Sequence, residues 1–300
     1  MSVLETKLLT KHYGKARGIE NVSINIEKGE IFGFIGPNGA GKSTTIRTLL
    51  GFLKPSGGSA RIFGLDCFSR GREIKARLGY VPAEVSYYGD MRVKELLEYS
   101  AAFYGKSSNG SESKKGRINE LCEIFGVEID KRMDSLSYGN KKKVAIVQAL
   151  LHEPELLIFD EPTGGLDPLV QNSFFEVLRK EKSKGTTIFF SSHVLSEVEK
   201  MCDRVAIIKE GRILRTESIE KLRGNRYRKL KLDHTPDSKP DVSGLPGVTS
   251  LRSGSGYTEF MYNGDINALL GALALTRLDN VCIEEPSLEE IFMHYYSKGE

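Results

Sequence analysis

The chain has 300 residues, a net charge of +3 and an apolar fraction of 39%, values ordinary for a globular protein of one large domain or two. The charge is too small to argue for nucleic acid by itself, so no nucleic-acid partner is expected. Four scattered cysteines without a C-x-x-C pair read as reduced, cytosolic and buried, and no run approaches the roughly 18 apolar residues of a spanning helix.

The N-terminus has no basic-then-apolar signal pattern, so any role at a membrane runs through a partner. Val3 to Leu9 and Val22 to Ile26 read as edge strands. Tyr13, just after Lys11-His12, either stacks on a purine base or packs at a turn. Glu30 to Ile35 reads as a short buried strand, and Ser43 to Leu50 as a helix with Ile46, Leu49 and Leu50 on one side. Between them lie Gly36, Pro37, Asn38, Gly39, Ala40, Gly41, Lys42, Ser43 and Thr44, which fit G-x-x-x-x-G-K-S/T. Glycines let this backbone curl its N–H groups around one phosphate tail, and the following helix adds its positive end. Lys42 supplies a mobile charge for the β- and γ-phosphates, and the Ser43 hydroxyl suits Mg²⁺. The motif alone predicts binding of a nucleoside triphosphate.

Gly57 to Gly64 reads as a turn and short strand, and Arg77 to Pro82 as a strand end. Helical patterns over Met91–Tyr104 and Arg117–Phe125 flank a Ser-, Gly- and Lys-rich stretch, residues 105–116, expected to be a flexible loop. A further helix follows Leu136-Ser137-Tyr138-Gly139-Asn140, with Val144, Val147 and Leu151 on one face. Ser137 and Gly139 can offer a hydroxyl and N–H groups to an anion, or serve as a plain helix cap. The Lys141-Lys142-Lys143 run reads as a solvated face.

Leu156 to Glu161 is an apolar strand ending in two carboxylates, the pattern of a central parallel strand. Ligands sit outside the carboxyl ends of such strands. Asp160 is therefore placed to hold Mg²⁺, and Glu161 to polarise a water for attack on the γ-phosphate. Thr186 to His193 repeats the design and delivers His193 to the same edge. Val205 to Leu214 reads as a hairpin. Beyond it, strands at Arg226–Leu232 and Tyr257–Tyr262, a loop at His234–Gly247 and a helix at Asp265–Arg277 form a tail. Ser287 and Glu290 carry a capping-box pattern.

Together these pieces resemble the ATP-binding cassette (ABC) ATPases, the motor subunits of ABC transporters, from about Leu4 to about Lys221. Tyr13 matches the adenine-stacking aromatic, Gly36 to Thr44 the Walker A loop, and Leu136 to Asn140 the L-S-G-G-Q signature. Leu156 to Glu161 matches Walker B with its catalytic glutamate, Gly165-Leu166-Asp167 the D-loop, and His193 the switch histidine. The resemblance implies an α/β P-loop fold: a parallel sheet flanked by helices, an antiparallel β edge and a helical insert at residues 91–152. Residues 1–221 would form this ATP-binding domain, and residues 222–300 a small α+β accessory module. The tail, ending in P-S-L-E-E-I-F, resembles ABC-2-type exporters of the bacitracin-resistance and sodium-export groups.

Two departures stand out. The signature has Tyr138 for its first glycine and Asn140 for its glutamine. After Gly79-Tyr80-Val81-Pro82 the family's glutamine is replaced by Ala83 and then Glu84. Glu84 either substitutes at the γ-phosphate end of the site or stays a solvated loop residue.

The resemblance implies an ATPase using ATP and Mg²⁺. It implies a homodimer in which each signature completes the other chain's site, and a separate transmembrane permease that holds the protein on the inner face of the membrane. The competing functions are a soluble ABC ATPase acting on nucleic acid or ribosomes, and a regulator without turnover. The first typically has two cassettes or a coiled-coil insert, and neither is visible. Intact Lys42, Asp160, Glu161 and His193 argue against the second.

Overall fold

The computed structural model describes residues 2–14, 16–104, 110–224, 227–274, 276–286 and 290. Ser287 of the capping-box pattern and most of the P-S-L-E-E-I-F tail lie outside them. The chain divides into two compact units, Met1–Glu217 and Ser218–Glu300.

In chain order, the first unit contains β1 (Ser2–Tyr13), β2 (Ala16–Val22), β3 (Asn25–Glu27), β4 (Ile31–Ile35), α1 (Lys42–Leu49), β5 (Gly57–Ile62) and β6 (Leu65–Asp66). There follow α2 (Gly71–Lys75), β7 (Leu78–Val81), α3 (Val93–Phe103), α4 (Gly110–Phe125), α5 (Tyr138–Leu150) and β8 (Leu156–Asp160). It closes with α6 (Pro168–Ser183), β9 (Thr187–Ser192), α7 (Leu195–Met201), β10 (Arg204–Lys209) and β11 (Arg212–Ser218).

One sheet has the order β11-β10-β4-β9-β8-β7, in which β10, β4, β9, β8 and β7 run parallel to one another. Its central strands are apolar because both faces are covered. Every residue of β4, β8 and β9 is buried. The second sheet, β2-β1-β5-β6 with β3 on β1, is antiparallel. Leu4, Leu9, Ile26 and Ile62 from this sheet and Phe32, Phe34, Ile158 and Phe189 from the parallel one share a core. The segment Val22–Ile26, expected as one strand, is divided between β2 and β3.

Helices α3, α4 and α5 lie within residues 91–152, the stretch expected as a helical insert. The stretch expected as a loop at residues 105–116 is helical from Gly110 onward, and residues 105–109 lie outside the described ones.

The second unit contains α8 (Ile219–Gly224), β12 (Arg228–Asp233), β13 (Val248–Ser253), β14 (Tyr257–Tyr262), α9 (Ile266–Leu273) and β15 (Asn280–Glu284). Its antiparallel sheet has the order β13-β14-β12-β15. Leu230, Leu232, Phe260 and Tyr262 pack against Leu269 and Leu273 of α9. That helix is shorter than the Asp265–Arg277 expected; Asp265 caps it by accepting a hydrogen bond from the Asn267 N–H.

Candidate active site

The parallel register brings the site together. Ile35 pairs with Ser192, Asp160 with Ser191, and Val81 with Phe159. The residues that follow each strand therefore emerge on one edge: Gly36 after β4, His193 after β9, Glu161 after β8 and Pro82 after β7.

The loop after β4 needs its glycines. A Cβ on Gly36 would lie 2.3 Å from the Ile208 carbonyl oxygen. Gly41, at φ 111°, turns the chain into α1 in a left-handed conformation that side chains resist. Pro37, Asn38 and Gly39 form the exposed crest, and Ala40 is buried beneath it. Ser43 and Thr44 in the first turn of α1 are half-buried.

Lys42 is only 4% exposed. Its ammonium donates to the Gly36 carbonyl at 2.8 Å and the Pro37 carbonyl at 3.2 Å, and pairs with Glu161 Oε1 at 3.0 Å. The cation thus folds back onto its own loop and onto the carboxylate.

Glu161 follows β8 with φ 48°, a left-handed conformation that costs a non-glycine residue roughly 1–2 kcal/mol. Its N–H donates to the Ser191 carbonyl at 3.1 Å and to Ser191 Oγ at 3.2 Å, which holds that turn. Its second carboxylate oxygen lies 3.3 Å from His193 Nδ1. Burial pushes the Glu161 carboxyl up, but Lys42 and His193 outweigh it and the net shift is downward. The group is therefore ionised at neutral pH, as a base must be.

Asp160 is fully buried. Ser191 Oγ donates to its Oδ1 at 2.8 Å, while Oδ2 has no hydrogen-bond partner among the described residues. A buried carboxylate oxygen left unsatisfied is expensive. A metal ion suits it, and the Ser43 hydroxyl in the first turn of α1, which makes no hydrogen bond among the described residues, offers a second oxygen.

The other expected site residues stand further out. Tyr13 is exposed at the end of β1, with the Lys11 ammonium 5.6 Å from its ring centroid. Glu84 is exposed, and no ion pair or hydrogen bond of its side chain is found among the described residues. Asp167 caps α6 by accepting the Val170 N–H at 3.0 Å. Ser137 caps α5, accepting the Asn140 N–H at 3.3 Å, and is itself exposed.

Tyr138 turns back onto its own chain. Its hydroxyl donates to the Ala83 carbonyl at 2.8 Å. Its ring lies over Gly165, where a Cβ would meet the ring at 2.7 Å. The same Ala83 carbonyl accepts from Lys142 at 2.7 Å, and Lys142 also donates to the Pro82 carbonyl at 2.9 Å. Lys142 is fully buried, so the solvated face expected for residues 141–143 is wrong at its centre. Burial pushes its ammonium down to about 8, against the opposing charges of Asp160 and Glu161, so it stays a cation at pH 7. Ser191 and Lys142 are the two residues of the site that sequence reasoning passed over.

A glycine-rich loop opening a helix, with Lys42, Asp160 and Glu161 converging at the ends of parallel strands, defines a P-loop nucleoside-triphosphatase. The family model described as ABC transporter matches residues 19–164. A second, described as AAA domain, putative AbiEii toxin, Type IV TA system, matches residues 130–199. The bacitracin transport ATP-binding protein BcrA of Bacillus licheniformis is 38% identical over 244 residues, covering 80% of this chain and 78% of that protein. The linearmycin resistance ATP-binding protein LnrL of Bacillus subtilis is 31% identical, covering 97% of each chain. A solved structure described as an ATP binding subunit of an ABC transporter superposes with a TM-score of 0.70 at 32% identity, over 74% of this chain and 92% of that one. The chain belongs to the ABC transporter family; it is an ATP-binding subunit and an ATPase.

Proposed function

We propose that the chain is the motor of an exporter of the ABC-2 type, working as a homodimer with Mg²⁺–ATP beneath a separate membrane subunit. The observation that carries this reading is the Lys42–Glu161–His193 cluster, beside the unsatisfied Asp160 oxygen. The export direction rests on the similarity to a bacitracin transport subunit and a linearmycin resistance subunit.

ATP offers Lys42 a better partner than its own loop, since a polyanion outbids two carbonyls and one shared carboxylate. As Lys42 turns to the phosphates, Glu161 Oε1 is released toward an attacking water. His193 holds the other oxygen of that carboxylate. Asp160 and Ser43 would hold Mg²⁺, which would offset the charge of the phosphates. Tyr13 presents a ring to the adenine. Ser137, exposed at the start of α5, and the half-buried Gly139 would meet a second copy, together with the exposed Asp167 and Glu84.

No helix among the described residues is long and apolar enough to cross a membrane. The insert instead offers a groove lined by Tyr87, Tyr88, Met91, Leu96, Tyr99 and Phe103, in which Tyr88 is 80% and Phe103 70% exposed. Large exposed aromatics beside a loop that starts at the active site suit an amphipathic helix of the membrane subunit. Held there, the protein sits peripherally on the inner membrane face. The test is phosphate release by Glu161→Gln. Loss of a general base predicts a fall of about 10²–10⁴-fold. A wild-type rate would move the base elsewhere.

A further inference from the structure

His193 carries its ring into the site from the tip of β9, yet little fixes the ring itself. It is half-exposed, and its one polar contact among the described residues is Nδ1 to Glu161 Oε2 at 3.3 Å. The backbone on either side of it is held by two buried side chains that the proposed chemistry leaves unused, Ser192 and Glu197.

Ser192 is the last residue of β9 and lies beside Ile35, where β4 passes into the phosphate loop. Its Oγ accepts the Val194 N–H at 2.9 Å, closing a hydroxyl turn with His193 at the apex. The same Oγ donates to Glu197 Oε2 at 2.8 Å. A hydroxyl has one proton, and the carboxylate is its nearer acceptor; the Val194 carbonyl lies at 3.5 Å.

Glu197 stands in the first turn of α7, three residues after Val194, which precedes the helix. That is the place of a capping-box glutamate, whose carboxylate ordinarily accepts the N–H of the capping residue directly. Here that N–H goes to Ser192, and Glu197 takes the Ser192 hydroxyl instead. The direct bond would complete the helix end without involving β9. The interposed hydroxyl fastens α7 to β9 across His193. The helix itself has little room to shift. A Cβ on Gly33 of β4 would lie 2.8 Å from Val198 Cγ1 and 3.0 Å from Cys202 Sγ, so α7 is pressed against β4.

We propose that Ser192 and Glu197 are positioning residues for ATP hydrolysis: they clamp the backbone on both sides of His193 and so hold its exposed ring at Glu161, where a free loop would let it swing into solvent. The proposal rests on the reading of His193 as part of the site. It requires no change of charge in any of the three residues.

The test compares Glu197→Ala, which breaks the clamp, with Glu197→Gln, whose carbonyl oxygen can still accept from Ser192. Glu197→Ala is expected to lose at least about tenfold in kcat with KM for ATP within about threefold, because Lys42 and its loop are untouched. Glu197→Gln should keep most of the rate. Added to His193→Ala, Glu197→Ala should slow hydrolysis by no more than about twofold further, since the clamp then has nothing to hold. Effects that multiply in the double variant would overturn the proposal. So would a wild-type kcat in Glu197→Ala, or a loss confined to KM. A Glu197→Ala chain that fails to fold by circular dichroism would do the same, since the residue would then be a support of the fold. Measuring His193→Ala alone separates the two readings. If it hydrolyses normally, His193 is outside the chemistry and the clamp falls with it; if it is slow while Glu197→Ala is not, only the clamp fails.

Discussion

At the phosphate loop, Lys42 is enclosed and its ammonium is shared among the Gly36 carbonyl, the Pro37 carbonyl and Glu161. At the start of α5, Ser137 and Tyr138 stand in the open, and only the tyrosine reaches back, to Ala83 and Gly165. The first region satisfies its polar groups with one another and can exchange those contacts for phosphate. The second keeps its serine outward and spends its unusual side chain on its own chain. Tyr138, which stands where the family has glycine, is 49% exposed and still makes these two contacts. It ties the turn to the Pro82-Ala83 segment, which leads on to the aromatic groove.

The largest expected effect breaks the first region. Lys42→Ala should lower ATP affinity by at least about 100-fold, because the loop then meets a polyanion without its cation. Calorimetry measures this, and normal affinity would remove Lys42 from the phosphate site. Next is Ser191→Ala, which deprives the buried Asp160 of its donor. Leaving that oxygen unsatisfied should cost about 1–3 kcal/mol in urea unfolding. An unchanged midpoint would show that the Asp160–Ser191 bond contributes nothing.

His152 tests the base of α5 rather than its start. Burial lowers its imidazole to about 4, and it stacks on Tyr104 with ring centroids 3.5 Å apart. The unfolded chain takes up this proton near 6.5 and the folded chain only near 4. Stability is therefore full above the unfolded value and falls as the pH drops from 6.5 towards 4. Thermal melts of His152→Phe should lose less than the wild type across that window. Parallel acid limbs would mean that the histidine is not held neutral.

The smallest effect sharpens the second region. Tyr138→Phe removes one of two donors to the Ala83 carbonyl and should cost about 0.5–1 kcal/mol or less, because Lys142 remains. A loss as large as that of Ser191→Ala would make Tyr138 a main support of the turn.

The phosphate region was legible in the sequence because its logic is local. The strands β4 and β8 are unbroken apolar runs, and each ends in the residues that do the chemistry. Lys142 was not legible as a buried group. Read within a lysine triplet it looks solvated, and only the all-round apolar run from Val144 shows that this turn of α5 enters the core. Helix α6 also escaped, although Asp167 as cap and Pro168 at its first turn are ordinary start signals. In the second unit β14 ends in the buried apolar run Phe260-Met261-Tyr262, whereas β13 and β15 are largely exposed and carry no face to read. Glu84 could not be placed from sequence, and in the fold it stays exposed beside the site.

On the proposed reading, an inward phosphate loop and an outward signature turn mean that two chains meet to close the site. Size-exclusion chromatography with light scattering on Glu161→Gln measures this. The account predicts a monomer of about 33 kDa without nucleotide and twice that mass with Mg²⁺–ATP. The doubling should vanish when Ser137→Arg is added. A protein that binds ATP to saturation and keeps the monomer mass would contradict it.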